Sequence, residues 1–111
     1  GVLGLIISLM LFYAVFDILK NAINKILGEK VPYELIEKIE NIVENEIPFR
    51  VYPHHFHIHN YGRHKELTFH IKLNKNKSLL DAHEIADHIE RKIMEEIQIE
   101  ATIHIEPFEE E

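Results

Sequence analysis

The sequence predicts an α+β fold: a two-layer αββαβ sandwich, with two helices on one face of a three-stranded mixed sheet, preceded by an N-terminal apolar helix. Three observations carry this. Apolar residues recur at helical spacing in two separate stretches. They alternate with polar residues in three others. Residues 1–16 carry no charge, and every charged side chain lies from Asp17 onward. A 3.6-residue period marks a helix with one buried stripe, and a period of two marks a strand with one buried face.

The apolar run comes first. Sixteen helical residues span about 24 Å, short of the roughly 30 Å hydrocarbon core of a bilayer. The run therefore reads as the last part of a transmembrane helix. A buried core helix is the alternative, disfavoured because the run has no polar stripe. After Phe16 the helix turns amphipathic: Ile18, Leu19, Ala22, Ile23, Ile26 and Leu27 are separated by Lys20, Asn21, Asn24 and Lys25. Two lysines just past an apolar run suit a cytoplasmic flank. Gly28 is the expected C-cap. Residues 1–28 thus form a membrane segment with its cytoplasmic extension, and residues 29–111 a soluble domain.

Pro32 suits a helical first turn, and Glu34 favours its positive end. Leu35, Ile36, Ile39, Ile42 and Val43 follow at helical spacing, predicting a helix over 32–45. Phe56 and Ile58 then alternate with His55, His57 and His59. After a turn around 60–63, with Gly62 supplying backbone freedom, Leu67, Phe69, Ile71 and Leu73 alternate with Glu66, Thr68, His70 and Lys72. This is a hairpin with one buried and one polar face. Ser78 is the expected N-cap of the next helix, whose buried stripe is Ala82, Ile85, Ala86, Ile89, Ile93 and Ile97. The last strand is expected over 98–106, with Ile99, Ala101, Ile103 and Ile105 inward. Pro107 should end it, leaving Phe108–Glu111 as a frayed tail. A right-handed crossover makes this strand parallel to one hairpin strand. With both helices on the apolar face, the polar, histidine-bearing face stays open.

Composition narrows the chemistry. The absence of cysteine excludes disulfides and thiolate zinc sites, so a metal here needs His, Asp or Glu ligands. A net charge of −7, counting histidines neutral, argues against a nucleic-acid partner. No Gly-rich phosphate loop, HExxH or nucleophile elbow is present, so the reading is not an enzyme. A small zinc enzyme would need an open coordination position in a pocket, which an open-faced sandwich hardly encloses.

Nine histidines remain to be placed, five of them between His54 and His64. Exposed polar alternation is the ordinary state of such a sheet, so His55, His57, His59 and His64 read as solvated, and His88 as solvent-facing. Parity directs His70, His104 and Glu106 to the polar face from two different strands. His83 lies in the first turns of the second soluble-domain helix, with Asp87 four residues on to support it. Imidazole with carboxylate suits Zn²⁺ in four-coordinate geometry, and also accepts Co²⁺, Ni²⁺, Mn²⁺ or Fe²⁺. A His–Glu ion pair without metal is the alternative.

The stretch SLLDAHEIADHIERKI, followed by ATIHIEP, resembles the C-terminal cytoplasmic domain of the cation diffusion facilitator transporters. There a Ser-Leu-x-x-Ala-His-x-x-Ala-Asp helix precedes a strand ending His-x-Asp/Glu-Pro. HFHIHNYGRHKELTFHIKL is similar to the family's hairpin, and the first thirty residues to its last transmembrane helix and linker. The resemblance implies a metallochaperone-like fold and a homodimer with zinc sites near the subunit interface. It implies a cytoplasmic zinc-sensing domain that stabilises the closed dimer of a cation exporter in the cell membrane, with residues 29–111 cytoplasmic. A metal-independent dimerisation module is the competing reading. Carried over by position, the family's zinc ligands fall at His54, His70, His83, His104 and Glu106. His54 enters through the resemblance alone: parity groups it with Phe56 on the apolar side, unless Pro53 breaks the strand and frees it. Two departures stand out. Many relatives carry Asp at the position of Glu106, and an acid at the position of Gly28.

Overall fold

Alternation in three segments builds the predicted sheet. A computed structural model describes residues 1–109 and has the elements α1 (Val2–Leu27), α2 (Tyr33–Glu46), β1 (His54–Asn60), β2 (Lys65–Asn74), α3 (Leu79–Ile97) and β3 (Glu100–Phe108). The order across the sheet is β1-β2-β3. β1 pairs antiparallel with β2, as a hairpin must, and β3 pairs parallel with β2 after the α3 crossover. The αββαβ sandwich read from the sequence is the fold observed.

The central strand supplies the middle of the core. Leu67, Phe69, Ile71 and Leu73 of β2 are buried, and Ala101 and Ile103 of β3 join them on the same face. Ile39, Ile42 and Val43 of α2 and Ala86, Ile89 and Ile93 of α3 close over this face. Fully burying an Ile, Leu or Phe side chain contributes about 1.5–3 kcal/mol. Among the described residues no polar or charged side chain is fully buried. The sandwich is therefore held by apolar packing on one sheet face, and the other face is free of that duty.

Helix α3 begins as its sequence predicts. The Ser78 hydroxyl accepts from the Asp81 backbone N–H at 3.0 Å and donates to the Asp81 carboxylate at 2.7 Å. Replacing Ser78 with alanine leaves an N-terminal amide without its cap. Thermal or denaturant unfolding should show a loss of about 1 kcal/mol.

Three local expectations change. Pro107 does not end the last strand: it pairs with Leu73, and Phe108 pairs with Asn74. β3 is an edge strand with one ladder side open, where a missing N–H costs no bond. The tail expected to fray is thus strand at Phe108, Glu109 pairs with Lys75, and Glu110 and Glu111 lie outside the described residues. His88 is half-buried, not solvent-facing, because it bonds Glu46 at 2.8 Å and ties α3 to the end of α2.

Helix α1 runs 26 residues, about 39 Å at 1.5 Å per residue. None of its residues is buried against the rest of the described chain. By length and composition it is apolar enough to cross a membrane. Its end is fixed to the sheet edge, where the Glu29 N–H donates to the Ile58 carbonyl at 3.0 Å. Gly28, at φ +93°, sits so close to the His59 ring that an added Cβ would lie 3.2 Å from it.

Candidate metal centre

Cross-strand register sets out the donors. His70 of β2 is paired with His54 of β1 on one side and with His104 of β3 on the other. Three imidazoles therefore stand in one row across the sheet. Glu106, two residues beyond His104, points to the same face. His70 and His104 have ring centroids 4.7 Å apart, and His54 and His70 5.5 Å.

His54 reaches this face through a backbone irregularity that strand parity does not register. The pairing runs from His54–His70 to His57–Thr68, so β1 has one residue more than β2 in this interval. His55 carries φ +54° there. The bulge re-aims the strand by one residue, and His54 takes the place opposite His70 while Phe56 still stacks on Phe69 in the core layer. His54 thus reaches the polar face by a bulge after it, in place of the strand break at Pro53 that the sequence suggested.

The donors converge on the carboxylate. His70 Nδ1 lies 2.6 Å from Glu106 Oε1, and His54 Nε2 lies 3.1 Å from Glu106 Oε2. One ligand atom each from His54, His70 and Glu106 fall within 4.8 Å of one another, and all three residues are half-buried. The hydrogen bond from His70 foremost, with that from His54 and the electrostatic attraction of both rings, holds the Glu106 carboxyl below its usual range against the opposing effect of burial.

The partners of His54 orient its ring. Its Nδ1 lies 2.7 Å from the Tyr52 carbonyl, which only accepts, so Nδ1 carries the proton. Nε2 then faces a carboxylate oxygen, another acceptor. A neutral imidazole has one proton for these two acceptors. The contact with Glu106 is thus either an ion pair or a place where a cation fits between Nε2 and the carboxylate. A carbonyl that fixes tautomer and ring orientation is the usual support of a metal-ligating histidine. Tyr52 presents that carbonyl from a left-handed backbone at φ +50°. The donor set, two imidazole nitrogens and a carboxylate oxygen, fits a divalent zinc-like ion.

Of the five residues singled out, the structure brings His54, His70, His104 and Glu106 to one patch. His83 is apart. It is exposed on α3, which packs on the opposite, apolar face, and among the described residues it makes no hydrogen bond to Asp87. The remaining face histidines are otherwise engaged or exposed. His59 lies between Gly28 and Tyr61, and His64 bridges Glu66 at 3.0 Å and Glu100 at 3.3 Å. Sequence reasoning missed His55, whose ring lies 5.2 Å from His54 and 5.1 Å from His70. Its only signal was adjacency to His54, because the bulge is invisible in the residue pattern.

Comparison with known proteins agrees with this architecture. The family model described as "Cation efflux protein, cytoplasmic domain" matches residues 31–108. Protein p34 of Rickettsia rickettsii (strain Sheila Smith) is 29% identical over 106 residues, covering 95% of this chain. Protein p34 of Rickettsia prowazekii (strain Madrid E) is 27% identical over the same length. The chain spans 35% of the length of these curated relatives. Among solved structures, the zinc form of the transporter CzrB superimposes with a TM-score of 0.62 at 28% identity, over 71% of this chain and 91% of that one. The metal-bound C-terminal domain of the CzcD transporter from Thermotoga maritima gives 0.60 at 26% identity, over 67% of this chain and 87% of that one.

Proposed function

Since the chain belongs to the cation efflux proteins through their cytoplasmic domain, we propose that residues 29–111 sense a divalent cation, zinc, for an exporter in the cell membrane. Residues 1–28 are the end of its last transmembrane helix and the extension below it. The reading is carried by the convergence of His54, His70 and Glu106, from different segments, on one point. The similarity to CzrB in its zinc form and to metal-bound CzcD supports zinc, or a close relative, as the ion.

The mechanism is a shift of population between separated and closed arrangements of two copies of the domain. A ligand moves such an equilibrium only through its differential affinity for the two states. His54, His70, His104 and Glu106 supply donors on the open face of one protomer. The exposed His83 cannot reach that face of its own protomer. Zinc that orders this patch in the arrangement its partner meets favours the closed dimer. In its absence the acidic charge of each subunit favours separation. This is a binding role rather than an enzymatic one: the cation is the signal, and no bond of a substrate is made or broken.

The test uses the full chain in detergent, spin-labelled at Glu96→Cys, since the protein has no cysteine of its own. Adding Zn²⁺ should shorten the distance between labels on the two subunits. At a free zinc hundredfold above its Kd, binding adds about 2.7 kcal/mol of stability, so the melting temperature should rise as well. Unchanged spacing and melting temperature, together with undiminished zinc binding by His70→Ala/Glu106→Ala, would rule the reading out. A dimer that is equally tight in chelator would leave a purely structural module.

A further inference from the structure

We propose that His55 is a fourth protein ligand of the ion held by His54, His70 and Glu106, so that the site is closed by the chain and keeps no bound water. The proposal rests on the metal reading above and extends it to a residue outside the set drawn from the sequence.

The backbone comes first. In a regular strand consecutive side chains alternate between faces, so His54 and His55 could not both approach His70. The bulge changes this by setting two residues of β1 against one of β2. His54 takes the register place opposite His70, and His55 is the additional residue, at φ +54°. A left-handed conformation strains a non-glycine residue, and such outliers gather at ligand sites. A glycine at residue 55 would turn the chain with less strain. The imidazole is present where the backbone least favours a side chain.

The spacing of the rings is the second observation. Two imidazoles bound to one tetrahedral zinc, with Zn–N bonds near 2.0–2.1 Å, have ring centroids about 5.2 Å apart. The pairs His54–His55, His55–His70 and His54–His70 stand at 5.2, 5.1 and 5.5 Å. The three rings stand at the spacing of a three-histidine cap, for which Glu106 would be the fourth corner. The donor atoms that converge in this structure are those of His54, His70 and Glu106. His55 is exposed, so its ring has room to turn a nitrogen toward them. Four protein ligands make a structural rather than a catalytic zinc site. That suits an ion whose effect is to hold an arrangement in place.

The probe is Co²⁺, whose visible bands are intense in tetrahedral sites and weak in five- or six-coordinate sites containing water. It is titrated into the full chain in detergent, with Zn²⁺ competition giving relative affinities. The wild type should show the tetrahedral spectrum. His55→Gly suits the left-handed backbone, so its apo melting temperature should hold or rise. Its metal affinity should nevertheless fall by more than about 100-fold, beyond the 10–100-fold cost of losing an outer supporting group, and its Co²⁺ bands should weaken as water enters. If His55→Gly keeps both spectrum and affinity while His54→Ala loses binding, the inference is wrong and the metal site stands. The inference fails equally if His83→Ala, and not His55→Gly, changes the spectrum. If His54→Ala also binds normally, the site itself is wrong.

Discussion

Substituting Glu106 with alanine is expected to abolish tight divalent-cation binding while leaving the fold intact. Glu106 is the one carboxylate among the converging donors, and it faces both His54 and His70. Without it the ion loses an anionic ligand, and the imidazoles lose the acceptor that orients them. Outer-shell partners alone are worth about 10–100-fold in metal affinity, so loss of this direct ligand should cost more than 100-fold. Isothermal titration of Zn²⁺ into the full chain measures this. Glu106→Asp should retain part of the affinity, being shorter by one bond but of the same charge. Affinity within threefold of wild type for Glu106→Ala would remove Glu106 from the site.

The same carboxylate fixes a sign for pH dependence. Its folded-state pKa is depressed by the bond from His70 and the neighbouring imidazoles. The stability it contributes is therefore present above the ordinary carboxylate range and lost as pH falls through the depressed value. Acid acts on the metal as well, because imidazole and carboxylate ligands must shed their protons to bind. Zinc affinity should fall on acidification, and the melting-temperature gain from zinc should shrink with it.

How far these features were legible depends on what each residue's position rests upon. Period-two and period-3.6 patterning depends on side-chain burial alone, and it placed β2, α3 and the core residues Leu67, Phe69, Ile71, Ile89 and Ile93 without ambiguity. His70, His104 and Glu106 were legible for the same reason, since parity assigns a face wherever a strand is regular. His54 and His55 were not, because their directions depend on φ at one bulged residue, which no side-chain pattern encodes. The resemblance to the transporter domain supplied His54, and nothing supplied His55. Pro107 misled through a general rule: proline ends a strand that needs its N–H, but an edge strand leaves one side unpaired. His88 misled because its partner, Glu46, lies 42 residues away.

Phe69→Ala is expected to cost the domain a large part of its stability. Phe69 lies on the central strand, is 0% exposed and stacks on Phe56 at 5.3 Å between centroids. The surrounding core, from α2, α3 and all three strands, cannot collapse into the space without giving up contacts elsewhere. Phe→Ala in such a site costs about 3–5 kcal/mol, against a total of about 5–15 kcal/mol for a small domain. Denaturant unfolding followed by circular dichroism should show the loss, and Phe69→Leu should show much less. Phe69 is also the immediate neighbour of His70, directed to the opposite face. If the metal site depends on the folded sheet, saturating Zn²⁺ must raise the stability of Phe69→Ala by as much as it raises the wild type, because binding to the native state adds the same free energy at equal free zinc and equal Kd. A variant that loses stability and also fails to respond to zinc would mean that the core substitution has moved the strand itself. A variant that unfolds readily yet responds fully to zinc is the expected outcome, since Phe69 belongs to the apolar face and the donors to the polar one.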